Sequence, residues 1–175
     1  MKINYSKTIL IIVMLLGFTS LALAQTRKQN NKKTHFLATG EVFKCNIDAK
    51  VENGISNSIK VTADKSCDVA IRVVDKETDV CIRYAFINAG ESYTIDDIPV
   101  GKYYAKVGLG KGWFWEDTTS HCAGGFKENA IYKKFNDTYK FKKGQVGSYT
   151  LELRIVSGTK KPTNESALTL KEFQK

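Results

Sequence analysis

The sequence has few of the residues and motifs on which common catalytic sites depend. Its 175 residues include only two histidines, and no long stretch repeats apolar residues at the helical spacing. The sequence contains no serine nucleophile elbow, no phosphate-binding loop, no HExxH zinc motif and no EF-hand loop. These absences disfavour the usual hydrolase, nucleotide-binding and metalloenzyme classes, and we expect neither a cofactor nor a bound metal.

A nucleophilic centre would need one of the two histidines. His35 falls in a polar N-terminal stretch, and His121 stands next to Cys122, but neighbouring residues of an extended segment point to opposite faces. Acidic pairs such as Glu116 with Asp117 are typical of solvated turns. The sequence therefore favours a non-catalytic protein. The alternative is a small secreted hydrolase or inhibitor-like effector with a site built around His121.

The N-terminus has the pattern of a cleavable signal peptide. Lys2 and Lys7 are followed by an apolar run, and the small residues Ala22 and Ala24 precede Gln25. This arrangement predicts cleavage after Ala24. We therefore expect an exported protein, in the periplasm, at the cell surface or in the medium, with no membrane span left after cleavage. An uncleaved N-terminal anchor is the alternative, although the apolar run is marginal in length for a spanning helix.

The net charge of +9 is spread unevenly over the chain. Residues 25–39 carry four cations and no acid, whereas residues 40–156 carry 17 cations and 16 acids. The presumed domain is thus almost neutral, which argues against nucleic-acid binding. A basic lead of this kind is typical of a solvated spacer, and it also supports a further hypothesis, attachment to an anionic cell surface.

Composition divides the chain into four parts. We predict a signal peptide over residues 1–24, a flexible basic linker over 25–39 and a single domain over 40–156. The polar tail that follows, residues 157–175, contains a short helix in this prediction, with Asn164 as its cap.

Short segments with apolar residues at every second position recur through the domain. The pattern is clearest in residues 68–74 and 80–87, which a polar hairpin loop joins. Turn-forming residues separate such segments every eight to twelve residues, and residues 148–156 form the last long one. The pattern predicts an all-β fold, a single antiparallel β-sandwich of about seven to nine short strands of the prealbumin or immunoglobulin-like type.

All four cysteines lie in the domain, and an even number of cysteines in an exported chain favours disulfides. No CxxC spacing is present, which disfavours a zinc site. The hairpin expected over residues 69–87 puts Cys67 and Cys81 too far apart for a bond. The other pairings stay open, and we prefer Cys45 with Cys67 and Cys81 with Cys122.

Turn-and-strand patterns of a known kind occur in three segments, IRVVDKET at 71–78, AGESYTI at 89–95 and IPVGKYYAKV at 98–107. Over residues 69–107 they resemble the carboxypeptidase-regulatory-like and PEGA-like sandwich modules of exported bacterial proteins. The resemblance implies a sandwich fold and an accessory role in adhesion, stability or ligand contact.

Aromatic residues after a glycine-rich stretch are the best candidates for a contact surface. Residues 108–112 predict a turn, residues 118–129 predict a loop, and Trp113 and Trp115 between them share one side of a strand. Exposed rings stack on sugars or anchor protein partners. We expect a secreted or cell-envelope binding or structural module whose partner, an unknown protein or glycan, contacts Trp113, Trp115 and Tyr104. The alternative is that both tryptophans are buried and Phe114 points outward.

Overall fold

A computed structural model of the protein describes residues 33–43, 56–116, 123–155 and 164–175. Within these ranges nearly all of the regular secondary structure is β-strand, so the predicted all-β fold is confirmed. The elements are β1 Ser58–Ala63, β2 Asp68–Asp75, β3 Cys81–Ile87, β4 Ser92–Ile95, β5 Gly101–Trp115, β6 Gly124–Phe135, β7 Tyr139–Phe141, β8 Ser148–Leu153, β9 Glu165–Leu168 and the helix α1 Leu170–Gln174.

The strands form two sheets of unequal size. The small sheet has the order β4-β1-β8, and the large sheet has the order β3-β2-β5-β6-β9, with β7 also paired to β5. Every strand pair is antiparallel except β1 with β8, which run parallel from the pair Ser58 and Ser148. The sandwich is therefore antiparallel in the main, with one parallel pair that the sequence pattern does not predict.

The first hydrophobic core lies between the two sheets. Ile59 and Val61 of β1 face Val69, Ile71 and Val73 of β2, and all five side chains are fully buried. Each strand contributes every second residue, because successive side chains of a strand point to opposite faces. The alternation seen in the sequence at residues 68–74 is thus the inward face of the large sheet.

A second core covers the other face of the large sheet. Ala70, Tyr84, Phe86 and Trp113 project from this face, and Phe173 of α1 packs among them. Because both faces of β2 are covered, its residues are buried continuously from the second position to the seventh. This second core explains why the central strand has no solvent-exposed polar side.

The predicted basic linker is part of the fold at its C-terminal end. The backbone N–H of His35 donates to the carbonyl of Trp113 at 2.8 Å, and Thr34 forms a bridge with Phe114. Leu37 packs against the second core. Thr34 and His35 thus pair with β5 and Leu37 covers apolar side chains, so this end of the predicted linker contacts the domain.

The predicted polar tail is also part of the fold. β9 pairs antiparallel with β6, and Phe173 is fully buried. The helix predicted from Glu165 to Phe173 forms only over Leu170–Gln174, because Glu165–Leu168 is strand β9, and Thr169 caps it instead of Asn164. The Thr169 side chain accepts from the N–H of Glu172. The Glu172 carboxylate accepts from the N–H and the hydroxyl of Thr169, and these two hydrogen bonds lower the pKa of Glu172. In the described ranges, no helix is long and apolar enough to cross a membrane.

β5 continues through the glycine-rich stretch where the sequence predicts a turn. The register between β5 and β6 shifts between Leu109 and Lys111, which marks a β-bulge. A Cβ atom on Gly110 would lie 2.5 Å from the Cβ of Phe126. The loop predicted over 118–129 is likewise strand β6 from Gly124 onward. The glycines thus make room for aromatic side chains across the strand pair.

A buried amide connects three segments at one end of the small sheet. Asn57, which is fully buried, donates from Nδ2 to the carbonyl of Ile98 at 3.0 Å. Its Oδ1 accepts from the N–H of Gly147 at 2.8 Å. The Asn57 side chain therefore holds the segment after β4 and the loop before β8 against the start of β1.

The described cysteines lie on opposite faces of the large sheet. Cys67 belongs to the core between the sheets, whereas Cys81 belongs to the second core. Both are buried and free, as expected for a pair that the sheet keeps apart. The structure therefore shows neither preferred disulfide at Cys67 or Cys81. Their predicted partners, Cys45 and Cys122, lie outside the described residues, and the pairings stay predictions.

Candidate functional site

The aromatic residues predicted to form a contact surface are buried. Trp113 is 1% exposed, Tyr104 is 4% exposed and Trp115 is 7% exposed. The bulge in β5 reverses the alternation of its side chains, so that both tryptophans face the second core. Of the two orientations considered for the tryptophans, the structure has the buried one, so neither ring lies on an exposed contact surface. The alternative is right about the tryptophans only, because Phe114 is also buried.

Trp113 is the centre of an aromatic cluster. Its ring stacks on Phe43 with a centroid distance of 5.6 Å and meets the edges of three further rings at 5.0 to 5.9 Å, those of Phe86, Trp115 and Phe126. Edge-to-face and offset-stacked geometries are the favourable ones for aromatic pairs. Trp113 therefore holds the second core together and is not free to stack on a ligand.

Tyr104 donates its hydroxyl proton to the carboxylate of Asp79 in the β2–β3 loop. Burial raises the pKa of Tyr104, and the neighbouring Asp79 raises it further. Burial also raises the pKa of Tyr84 on the same face of the sheet. Both hydroxyls therefore remain protonated at neutral pH and can act as hydrogen-bond donors.

An open, lysine-rich surface lies at one end of the large sheet, where the β2–β3 loop, the start of β5 and β7 meet. It consists of two adjoining cavities of about 600 and 310 Å³. The charged residues that line them are Lys76, Lys102, Lys140, Lys142, Asp75 and Glu77. We call this surface the lysine groove.

Backbone pairing brings the groove residues together from three parts of the chain. The N–H of Lys76 donates to the carbonyl of Lys102 at 2.9 Å, and Lys102 and Lys140 are register partners in the β5–β7 pair. Partners in an antiparallel pair point to the same side of the sheet. The two lysines therefore lie side by side.

The lysines of the groove are solvated. The ion pair between Lys102 Nζ and Glu77 Oε1 spans 3.7 Å, and the two side chains are 57% and 75% exposed. An exposed pair of this kind contributes little to stability. Lys76 Nζ donates to the hydroxyl of Thr138 at 2.8 Å, and one carboxylate oxygen of Asp75 accepts the N–H groups of the turn. The surface therefore keeps an excess of accessible positive charge.

Comparisons with known proteins assign no family. No family model matches the chain, and no curated protein or solved structure matches it either.

The residues of the hydrolase alternative are only partly described. Glu116 follows the last residue of β5, and its N–H donates to the carbonyl of Ala123 at 2.6 Å. Asp117, His121 and Cys122 lie outside the described residues. A site around His121 therefore stays a prediction. In the described part of the chain, no three histidine, cysteine or acidic residues are grouped as metal ligands.

Proposed function

We propose that the protein is an exported, non-catalytic β-sandwich module that binds an anionic polymer of the cell envelope at the lysine groove. The observation that carries the proposal is the convergence of Lys76, Lys102, Lys140 and Lys142 on one open surface. The signal-peptide pattern and the resemblance of residues 69–107 to accessory modules of exported proteins support it. The proposal keeps the expected binding role and moves the contact from the buried tryptophans to the groove.

A polymer fits this surface better than a small ligand does. Lysine ammonium groups are strongly hydrated point charges on flexible stems, so each one contributes only modestly to binding. A chain with repeated carboxylate or phosphate groups contacts several lysines at once and releases their counterions. The four cations of residues 25–39 would add to the same attraction in the exported chain.

Replacing Lys102 and Lys140 together by glutamine is expected to weaken binding to an acidic polysaccharide, a polyuronate, by about tenfold at low salt, since two charge contacts are lost. Calorimetric titration at several salt concentrations measures the effect. Wild-type affinity should fall as salt rises, and a neutral dextran should not bind.

The matched control is the double variant Lys60→Gln with Lys127→Gln. Both lysines are exposed and neither lines the groove, so the net charge changes equally. An equal loss of affinity in the two double variants would show that the polymer responds to overall charge and would contradict the groove as the binding site.

The predicted export and cleavage of the signal peptide can be tested separately. We expect N-terminal sequencing of the protein recovered outside the cytoplasm to begin at Gln25, because a signal peptidase accepts the small residues Ala22 and Ala24. An intact N-terminus at Met1 in the membrane fraction would instead support the uncleaved anchor.

A further inference from the structure

Three cations form a row across the central strands of the large sheet, on the face that carries the second core. Arg72 of β2 is the register partner of Lys106 of β5, and Lys106 is the register partner of Lys134 of β6. Side chains of register partners share one face, with Cβ atoms about 4.5 to 5.5 Å apart, and like charges in these positions repel. We call these three residues the cation row.

The row is largely withdrawn from water. Arg72 is 4% exposed and Lys106 is 7% exposed, whereas Lys134 at the end of the row is partly exposed. Burial lowers the pKa of Lys106, and the charges of Arg72 and Lys134 lower it further, against an opposing contribution from Asp79. Holding three cations together in this way is costly unless an anion accompanies them.

Asp79 and Glu172 interact electrostatically with Lys106, but the direct contacts of the row are with neutral groups. Arg72 Nη1 donates to the backbone carbonyl of Phe173 at 2.8 Å. Two of the cations lie over aromatic faces, with Arg72 Cζ 5.1 Å from the ring centroid of Tyr84 and Lys134 Nζ 4.0 Å from that of Tyr104. Among the described residues, no carboxylate forms an ion pair with the row.

Two donors beside the row have no hydrogen-bond partner. They are the Nε of Arg72 and the hydroxyl of Tyr84, and both atoms are buried. The two carboxylates that act on Lys106 accept hydrogen bonds from Tyr104 and Thr169, and neither accepts from these two donors. Buried polar atoms are nearly always paired in proteins, so these two donors indicate a missing acceptor.

We propose that the cation row is a binding site for a phosphate group. A phosphate carries close to two negative charges at neutral pH and several strong acceptor oxygens, whereas a carboxylate carries one charge. The planar guanidinium of an arginine is well suited to phosphate oxygens. Lys134 provides the accessible end of the row, and Arg72 and Lys106 provide the sheltered end. This site is distinct from the lysine groove.

Titration of the protein with inorganic phosphate at constant ionic strength tests the site, with binding followed by calorimetry and by the melting temperature. We expect saturable binding that raises the melting temperature. Lys106→Met keeps the apolar stem and removes the charge, so it should weaken phosphate binding by about tenfold or more. Because the variant also removes like-charge repulsion, its melting temperature without phosphate should not fall.

Lys102→Met is the matched control, since Lys102 belongs to the groove. It should leave phosphate affinity unchanged, while Lys106→Met should leave polyuronate binding unchanged, so the two proposals can fail separately. Absence of saturable phosphate binding, or equal losses in both variants, would overturn the cation row as a phosphate site. A lower melting temperature of Lys106→Met, with phosphate affinity retained, would overturn it as well, because the row would then serve only to anchor α1.

Competition experiments identify the source of the phosphate group. If glycerol phosphate displaces inorganic phosphate, the site accepts phosphate monoesters as well as the free ion. If glycerol phosphate does not compete, the site takes the free ion. Acetate that competes as strongly as phosphate would overturn the proposal in favour of a general carboxylate site.

Discussion

Replacing Trp113 by alanine is expected to lower the free energy of unfolding by about 3 to 5 kcal/mol, the range found for removal of large buried aromatic side chains. The ring is 1% exposed and contacts the rings of Phe43, Phe86, Trp115 and Phe126. Its loss leaves a cavity in the second core that rigid aromatic neighbours fill poorly. Denaturant unfolding followed by circular dichroism measures the change.

Two further variants test whether the aromatic cluster around Trp113 accounts for the loss of stability. Trp113→Phe should cost less than Trp113→Ala, because it keeps one ring and removes the indole N–H, which is buried without a partner. Phe36→Ala should be neutral to within about 0.5 kcal/mol, since Phe36 is 99% exposed. A Trp113→Ala protein as stable as the wild type would place this ring outside the core.

Asn57→Ala is expected to destabilise the protein by about 2 to 4 kcal/mol, because it leaves two backbone groups without their partner at about 1 to 3 kcal/mol each. These groups are the carbonyl of Ile98 and the N–H of Gly147. Thermal and denaturant unfolding both report the loss.

An exposed asparagine provides the comparison for this variant. Asn136 lies on the surface, and Asn136→Ala should change stability by no more than about 0.5 kcal/mol. If Asn57→Ala were equally mild, the connection between the two loops and β1 would depend on the backbone alone.

The alternation of apolar residues in the sequence predicts the strands in the first half of the sandwich. The segments predicted at 68–74 and 80–87 match β2 and β3 closely, and β4 is Ser92–Ile95 as the turn residues on either side indicate. In these strands the inward face is apolar and the connections are short. β2 and β3, which are neighbours along the chain, also pair in the large sheet, whereas β4 pairs with β1 in the small sheet. Under those conditions alternation alone is enough to locate a strand.

The alternation of apolar residues does not predict the structure where packing in the second core determines it. The glycines of β5 predict a turn from sequence, but the Cβ that a larger residue would add at Gly110 meets Phe126 of the neighbouring strand. That reason depends on a partner 16 positions away along the chain. The packing of residues 33–39 and of α1 onto the sheet cannot be predicted from the sequence for the same reason. Each segment is too short and too polar for its own pattern to indicate burial.

The two candidate sites are even harder to predict from the sequence. Counting charges makes the domain almost neutral, yet pairing of β5 with β7 places Lys102 beside Lys140, and pairing of β2, β5 and β6 aligns Arg72, Lys106 and Lys134. Tyr104 was expected at a contact surface, and it instead lies buried under Lys134 beside the cation row. Charge counts along the chain carry no information about which cations become neighbours.

The parallel pair of β1 and β8 has a consequence for how the protein folds. The two strands are 90 residues apart, as in the contact between Ser58 and Ser148, and loop closure over such a distance costs entropy before any contact forms. The small sheet, whose strand β1 carries Ile59 and Val61, can therefore be completed only when almost the whole chain is available. Until then only β1 and β4 can cover the inner face of the large sheet, so a chain truncated or stalled before β8 would be prone to aggregate.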